Sequence, residues 1–468
     1  MTGPSSAAPR TGFVGALSDI TRLAPSLALV SLGHVTMGLV DTAVVGQIGR
    51  VPLAAVGLGS SLTFLVSTVG LGVGLGTEPL AAQAFGAGDL AAARDAMRRG
   101  VALALIVALP VLLILAGLAI GLGSLGVDPA IIPDARAYMS SRLAGVPPLF
   151  AFVAVRAYLQ ATKRPYAPLV ATFVANVANL VGDWLLVYGD DGLSWLGLPR
   201  VGIPRLEALG AGIATVLATC VQLAVVVVAV RIDDAPRVGA TYVRWRKVLA
   251  AGPLWRMAKV GLPIGLQIAV EAGVFTTVAV LMARFGAVEA AAHQVTINLA
   301  SASFNVLIGI GSATSIVVGH HVGAGSRTMP LRAGAAGLTL GAGVMLVASA
   351  LFLLVPEWLA RLFTNDPVVV ATTVDLLRIA GAFQLVDGTQ AVASGALRGA
   401  ADTAWPFAIH AVSHWGVGFT AALVLAFVLG LGGQGLWWGL TAGLAFAAVL
   451  LVARFVVRAR RGFTAAAR

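Results

Sequence analysis

Long apolar stretches, each broken by only a few polar residues, recur along this chain from residue 20 to residue 455. A helix that crosses a bilayer takes about 20 apolar residues. Twelve stretches of that size can be read, and they predict helices over 20–45, 53–77, 101–123, 139–160, 167–188 and 208–230. A second set follows over 258–283, 290–319, 333–355, 368–397, 406–429 and 435–455. A membrane β-barrel would instead show alternating segments of about 10 residues. The pattern therefore predicts an all-α integral membrane protein with twelve transmembrane helices.

Composition supports that reading and excludes others. Of 468 residues, 58% are hydrophobic and 11% charged, and the mean hydropathy is +0.93. A soluble domain carries about 25% charged residues, so a large soluble enzyme and a disordered chain are excluded. The single cysteine, Cys220, falls within a span, which excludes an internal disulfide framework and thiolate metal chemistry.

The net charge of +11 changes the picture only through its placement. Arg94, Arg98, Arg99, Lys163, Arg164, Arg231, Arg237, Arg244, Arg246, Lys247, Arg256, Lys259, Arg327, Arg332 and Arg398 lie in loops after even-numbered spans. Arg10, Arg22, Arg454, Arg458, Arg460, Arg461 and Arg468 lie toward the two ends. Loops on the other side carry only Arg50, Arg136, Arg142, Arg200, Arg205, Arg284 and Arg361. Lys and Arg accumulate on the cytoplasmic side, so both termini are expected in the cytoplasm. The basic excess thus reports topology, with contact to anionic lipids, and no nucleic-acid partner is expected. Residues 1–15 show neither an apolar core nor a cleavage pattern, so targeting is expected to rest on the first span.

The two sets of six spans repeat. At a shift of 237 residues Gly49, Ala54, Ala55 and Gly86-Ala87-Gly88 fall on Gly286, Ala291, Ala292 and Gly323-Ala324-Gly325. At 238, Pro25, Leu159 and Pro168 fall on Pro263, Leu397 and Pro406. The expected organisation is a cytoplasmic tail (1–19), an N-lobe (20–230), a basic linker (231–257), a C-lobe (258–455) and a second tail (456–468). Six spans per half keep both halves in one orientation, which implies two six-helix bundles related by a pseudo-twofold axis along the membrane normal.

Intramembrane carboxylates cost about 2.5–3.5 kcal/mol each on insertion scales and are commonly functional. Asp41, Asp183, Glu271 and Asp387 stand out, each in an apolar run without Lys or Arg one helical turn away. A proton, a metal cation or a polar partner from another helix must neutralise each. Asn179 lies one turn before Asp183, with Asn176 alongside, and oxygen ligands of this kind suit a hard cation. Gln267 precedes Glu271 by one turn, and Asp387 lies between Gln384 and Gln390; these amides also fit interhelical hydrogen bonding. The acids do not repeat between halves: Asp41 falls on Val278. Pro25 and Pro263 mark points where the first and seventh spans can bend, in function or as static kinks.

Gly70, Gly72, Gly74 and Gly76 lie inside a span, where close helix packing is the expected use. His320 and His321 lack a third partner at metal-ligand spacing; His34, His410 and His414 could carry protons, though each alone is more often a hydrogen-bonded helix contact. Arg156 and Arg378 read as paired or snorkelling side chains. No phosphate loop, G-x-S-x-G or H-E-x-x-H occurs in a suitable context, so no enzyme is expected and the energy source is an ion gradient.

The run Leu39-Val40-Asp41-Thr42-Ala43-Val44-Val45-Gly46 resembles the multidrug and toxic compound extrusion (MATE) transporters, NorM-like branch. So do Ala291-Ala292-His293-Gln294-Val295 and Gly395-Ala396-Leu397-Arg398-Gly399-Ala400-Ala401-Asp402-Thr403. The resemblance implies export of organic cations and amphipathic drugs in exchange for Na+ or H+, by alternating access and without a bound cofactor. It implies an N-lobe cation or proton site at Asp41, Asn179, Asp183 and Thr215, with Glu271 and Asp387 as the C-lobe acids. Some NorM-like members carry a tyrosine where this chain has Phe383, whose ring donates no oxygen. A chain of twelve spans is large enough to work alone. The alternative is a flippase of lipid-linked saccharides, which would need a cationic cleft for pyrophosphate.

Overall fold

The computed structural model describes residues 12–238 and 248–465, with no side chains described for 235–238. Arg10, Arg244, Arg246, Lys247 and Arg468 lie outside the described residues, as does the side chain of Arg237. Within the described residues the chain is helical, without a strand. The physical reason is the solvent: lipid satisfies no backbone N–H or C=O, and a helix satisfies its own.

The helices are α1 Phe13–Gly46, α2 Arg50–Leu75, α3 Thr77–Gly86, α4 Leu90–Gly121, α5 Ile132–Leu143, α6 Val146–Ala161, α7 Tyr166–Tyr188, α8 Asp190–Trp195 and α9 Glu207–Val238. Then come α10 Ala251–Arg284, α11 Ala287–Gly323, α12 Met329–Leu354, α13 Pro356–Arg361, α14 Pro367–Gly399 and α15 Ala404–Ala411. The run α15 continues through π-helical turns and α16 Thr420–Leu423 to Val428, and α17 covers Gly432–Arg461. Among the described residues, eleven helical stretches are long and apolar enough to span a bilayer, and the pair α5 and α6, bent by 49°, counts as a twelfth when taken as one span. The chain is a multi-pass membrane protein, and the twelve spans match the pattern read from hydropathy.

Helix ends run past the predicted ones. Helix occupies 13–19 of the expected N-terminal tail, 231–238 and 251–257 of the expected linker, and 456–461 of the final tail. The fourth span differs most, because it breaks at Ala144 and Gly145 where the sequence pattern predicts one rod. Arg142, counted with the loop residues although it falls inside the predicted span 139–160, lies in the last turn of α5, within the bent span.

The repeat is legible in the turns. Gly88 (φ 79°) and Gly325 (φ 72°) adopt the left-handed conformation, and each turn closes with the same hydrogen bonds. Asp89 N–H donates to Ala84 O at 3.0 Å, and Ser326 N–H to His321 O at 3.0 Å. These are Schellman-type helix ends, for which glycine has no Cβ penalty. Lys163 (φ 61°) and Ala401 (φ 58°), 238 residues apart, take the same conformation without being glycine. The following residues, Arg164 and Asp402, donate back to Leu159 O (2.8 Å) and Leu397 O (3.0 Å).

The chain forms two compact units that follow the halves of the sequence except that residues 12–28 and Ala82–Asp89 group with the second half. One holds residues 12–28, Ala82–Asp89 and the described part of Leu266–Arg468; the other holds Leu29–Ala81 and the described part of Leu90–Gly265. α1 and α10 pass through Pro25 and Pro263 as single helices, and the division falls just after each proline. In the first unit, Ala16, Ile20, Leu23 and Leu27 of α1 pack with Leu307, Ile310 and Ile316 of α11 and with Val392 and Ala396 of α14. In the second, Gly70 sits against Phe150, Gly74 against Val153, and Gly72 and Gly76 against the backbone of Gly265 and Gly261. The glycine run is a packing surface, as expected.

Candidate functional site

In the second unit, four helices converge on Asp41. The local sequence of α1 makes Asp41 a lone acid in an apolar helix, and α7 brings Asn179 and Asp183 to it on one face, one turn apart. Asn179 Nδ2 donates to Asp41 Oδ1 at 3.0 Å, and Thr215 Oγ1 of α9 donates to Asp41 Oδ2 at 2.8 Å. Asp183 is wholly buried, its carboxyl group faces that of Asp41, and neither of its oxygens accepts a hydrogen bond from the described residues. Two facing carboxylates repel each other unless a proton or a cation lies between them. The charge of Arg142 on α5 also acts on Asp183.

Tyr138 of α5 completes this cluster. It is buried, with its hydroxyl in hydrogen-bonding reach of Asp41. Sequence reasoning missed it, since one tyrosine in a span reads as a packing residue; the signal was a phenol on a neighbouring span at the depth of Asp41. Asn176 has another part. Its Nδ2 donates to Gly33 O (3.0 Å) and Thr172 O (2.9 Å), so it ties α1 to α7 and does not touch either acid. Gly33 permits that approach, because a Cβ there would collide with Thr172. Tyr188 OH, donating to Val44 O at 2.7 Å, makes a second tie between the same two helices.

In the first unit, α10 and α14 bring the remaining acids together. Gln390 Nε2 lies 3.1 Å from Asp387 Oδ1 and 3.4 Å from Glu271 Oε1, bridging the pair. Gln267 donates to Ser394 Oγ (3.0 Å) and to His410 Nε2 (3.2 Å). With Nε2 accepting, the neutral ring of His410 carries its hydrogen on Nδ1, 3.9 Å from Glu271 Oε2. His414 stacks on His410 with ring centroids 5.2 Å apart. Gln384 donates to Ser303 Oγ on α11 and does not reach Glu271 or Asp387. Phe383 packs edge-on against Trp437 and Phe275, as part of the apolar core. The structure thus adds His410 and Gln390 to the cluster, neither of which the linear spacing ties to Glu271. No group of three or more His, Cys, Asp or Glu that could hold a metal ion occurs among the described residues.

Buried charge is paired elsewhere by full ion pairs. Asp234 is wholly buried and receives Arg164 Nη1 at 2.7 Å, Tyr158 OH at 2.8 Å and Arg94 Nε at 3.6 Å. Asp402 receives Arg454 at 2.7 Å and Arg458 at 3.6 Å. Arg164 and Asp402 occupy equivalent places, 238 residues apart, so the two halves carry this clasp with opposite polarity. Arg378 pairs with Asp375 at 3.6 Å, as its exposed place suggests.

Apolar spans that enclose carboxyl groups in pairs are the make-up of an all-helical membrane transporter. The MatE family profile matches residues 26–185 and 263–424, more than half of the chain, and the protein belongs to that family. The chain is 36% identical to the probable multidrug resistance protein NorM of Deinococcus radiodurans, over 97% of this chain and 98% of that protein. It is 35% identical to the protein of the same description from Pseudomonas putida, over 95% of each. Among solved structures, its fold is similar to the Vibrio cholerae MATE transporter VcmN in the bent form (TM-score 0.84, 19% identity, 97% of this chain and 98% of that one). It is equally similar to the eukaryotic MATE transporter AtDTX14 (TM-score 0.84, 18% identity, 96% and 98%).

Proposed function

We propose that this protein is a secondary active multidrug efflux antiporter, which exports cationic and amphipathic compounds in exchange for Na+ or H+ by alternating access. The observation that carries the reading is the Asp41–Asp183 pair: two buried carboxyl groups side by side, with hydrogen-bond donors on one and none on the other. A cation or proton entering between them is bound strongly in one arrangement of α1 and weakly in another, which is the differential affinity that coupling requires. Asn179 and Thr215 hold Asp41 in place, and Tyr138 closes the site on one side. Glu271 and Asp387, bridged by Gln390, supply a second negative site for an organic cation or the coupling ion.

The protein works as a monomer in the inner membrane of a bacterial cell, with both termini in the cytoplasm and anionic lipid around its basic loops. It is a carrier and not an enzyme. The saccharide-lipid flippase reading loses ground because the buried charges brought together at both sites are carboxylates, which repel a pyrophosphate. The test is accumulation of ethidium in everted membrane vesicles under separately imposed Na+ and pH gradients, for wild type and Asp41→Asn. Gradient-driven accumulation that is lost in the variant is the expected result. Accumulation equal in both proteins would overturn the role of Asp41, and none in either would overturn drug export.

A further inference from the structure

Residues 189–206, which join α7 to α9, are far longer than their counterpart in the second half, where residues 429–431 join the last two spans. The longer loop has a built frame. Asp190, the first residue of α8, accepts backbone N–H groups from Val201 (3.1 Å) and Ile203 (3.0 Å) on Oδ1 and from Gly202 (3.0 Å) on Oδ2. Asp190 N–H donates in turn to Ile203 O at 3.1 Å. Gly189 (φ 61°) permits this closure, because a Cβ there would collide with Ile203 O. Trp184 of α7 donates its indole N–H to Gly192 O at 2.9 Å. The rings of Trp184, Tyr188 and Trp195 pack on one another, with centroids 5.2, 5.9 and 4.9 Å apart.

What this frame presents outward is apolar. Trp195, Leu196, Leu198 and Val201 are 64%, 60%, 50% and 67% exposed. A contiguous apolar patch on a folded loop marks an interaction surface. The helix below the loop identifies what covers it. Phe173, Val177, Leu180 and Val181 are the exposed apolar face of α7, which in a spanning helix is the face toward acyl chains. Trp184 follows Leu180 by one turn on that face, and its ring meets Trp195 edge to face. The lipid-facing surface of α7 therefore continues into the loop. Tryptophan collects where acyl chains meet headgroups, because one end of its ring is apolar and the other polar. Charge adds no preference among lipids. Asp190, Asp191, Arg200 and Arg205 sum to zero, and Arg200 is held by Asp191 (3.6 Å) and by Ser194 Oγ (3.2 Å).

We propose that the loop between α7 and α9 is an interfacial anchor, which seats Trp195, Leu196, Leu198 and Val201 at the boundary of headgroups and acyl chains, in the leaflet opposite the basic loops. Its partner is the neutral bilayer surface, not a particular anionic lipid. The anchor bears on the Asp41 pair through one contact: Tyr188, beneath Trp195, donates to Val44 O, three residues from Asp41. The inference does not depend on drug export.

The test uses the full-length protein in a Cys220→Ala background, in phosphatidylcholine nanodiscs. Nitroxide labels are placed through Leu196→Cys and Leu198→Cys in the loop. Val177→Cys on the lipid-facing side of α7 and Ala130→Cys in the exposed turn between α4 and α5 serve as references. Collision rates with oxygen and with a water-soluble nickel chelate give the depth of each label. The two loop labels are expected about 5–10 Å below the phosphates, as for an interfacial segment, between the two references. Loop labels as open to the nickel chelate as the Ala130→Cys label would overturn the proposal. Native Trp195 gives a second reading that needs no label. The emission lost in Trp195→Phe should be quenched more by lipid brominated near the carbonyl end of its chain than by aqueous iodide, and the reverse order would overturn the anchor. Adding phosphatidylglycerol should change neither result; insertion that requires it would overturn the neutral partner. Dipolar broadening between Leu198→Cys labels that disappears on dilution with unlabelled protein would show a second copy of the chain on this surface in place of lipid, and would overturn the proposal too.

Discussion

At the scale of single residues, the second unit holds an imbalance of hydrogen bonding. Asp41 has donors on both oxygens while Asp183, facing it, has none. Asp183→Asn removes the like-charge repulsion and supplies an amide that can donate to Asp41. This variant is expected to keep or raise the thermal unfolding midpoint of the purified protein while ethidium export falls to background. A midpoint lowered by several degrees would contradict the imbalance. Ala401 gives a second prediction at this scale. It holds a left-handed φ of 58°, which costs an L-residue about 1–2 kcal/mol. Ala401→Gly is therefore expected to leave stability unchanged or raise it by up to about 1 kcal/mol, the reverse of a glycine placed in a regular helix. A clear fall in the unfolding midpoint would contradict it.

At the scale of elements, close approach of backbones decides the packing. A Cβ on Gly72 would collide with the backbone of Gly265, and one on Gly70 with the ring of Phe150. Backbone cannot rotate out of the way as the end of a flexible side chain can, so Gly72→Ala must push α2 from α10. An overpacking cost of about 1–3 kcal/mol is expected, read as a lowered unfolding midpoint in detergent. Gly38→Ala, with nothing within 4 Å of its added Cβ, is the control and should cost far less. Equal effects of the two would show that the glycine run is not a packing surface. The bend between α5 and α6 belongs to the same scale. By breaking a span, it brings Arg142 and the start of α6 to the wall of one small hollow.

For the whole molecule, charge placement governs orientation and the buried clasps govern integrity. Asp234 is buried beneath Arg94 and Arg164, and its loss leaves those guanidinium groups without their carboxylate. Asp234→Asn is expected to destabilise the protein by about 3–5 kcal/mol, seen as poor recovery of folded protein from the membrane. Because Arg164 and Asp402 show that this clasp works with either polarity, the exchange Arg164→Asp with Asp234→Arg should recover part of the loss. No recovery would mean that polarity at this place is fixed by its surroundings. Orientation has its own check. In a Cys220→Ala background, a cysteine placed at Ser5 or at Gly462 should react with a membrane-impermeant thiol reagent only after the cytoplasmic face is opened. Labelling of intact cells would invert the topology.

The number of spans, the repeat and the buried acids were legible in the linear chain, because hydropathy acts on every residue separately and an acid in an apolar run has no innocuous explanation. The repeat was visible as Gly86-Ala87-Gly88 against Gly323-Ala324-Gly325 because a left-handed turn demands glycine at one place. Lys163 and Ala401 share the same turn without that signature, so only their backbone angles disclose it. Tertiary structure alone decided which polar groups meet. Asn176 and Asn179 are alike in sequence, yet one ties a backbone and the other serves Asp41, since rotation of α7 against α1 sorts them. His410 and Glu271 lie on helices far apart in the chain, and Arg142, near the edge of the predicted fourth span, is set well inside it because α5 starts at Ile132. Hydrophobic burial in lipid is a property of segments and can be read from them. Partnership between polar side chains is a property of helix rotation and depth, which short-range sequence does not encode.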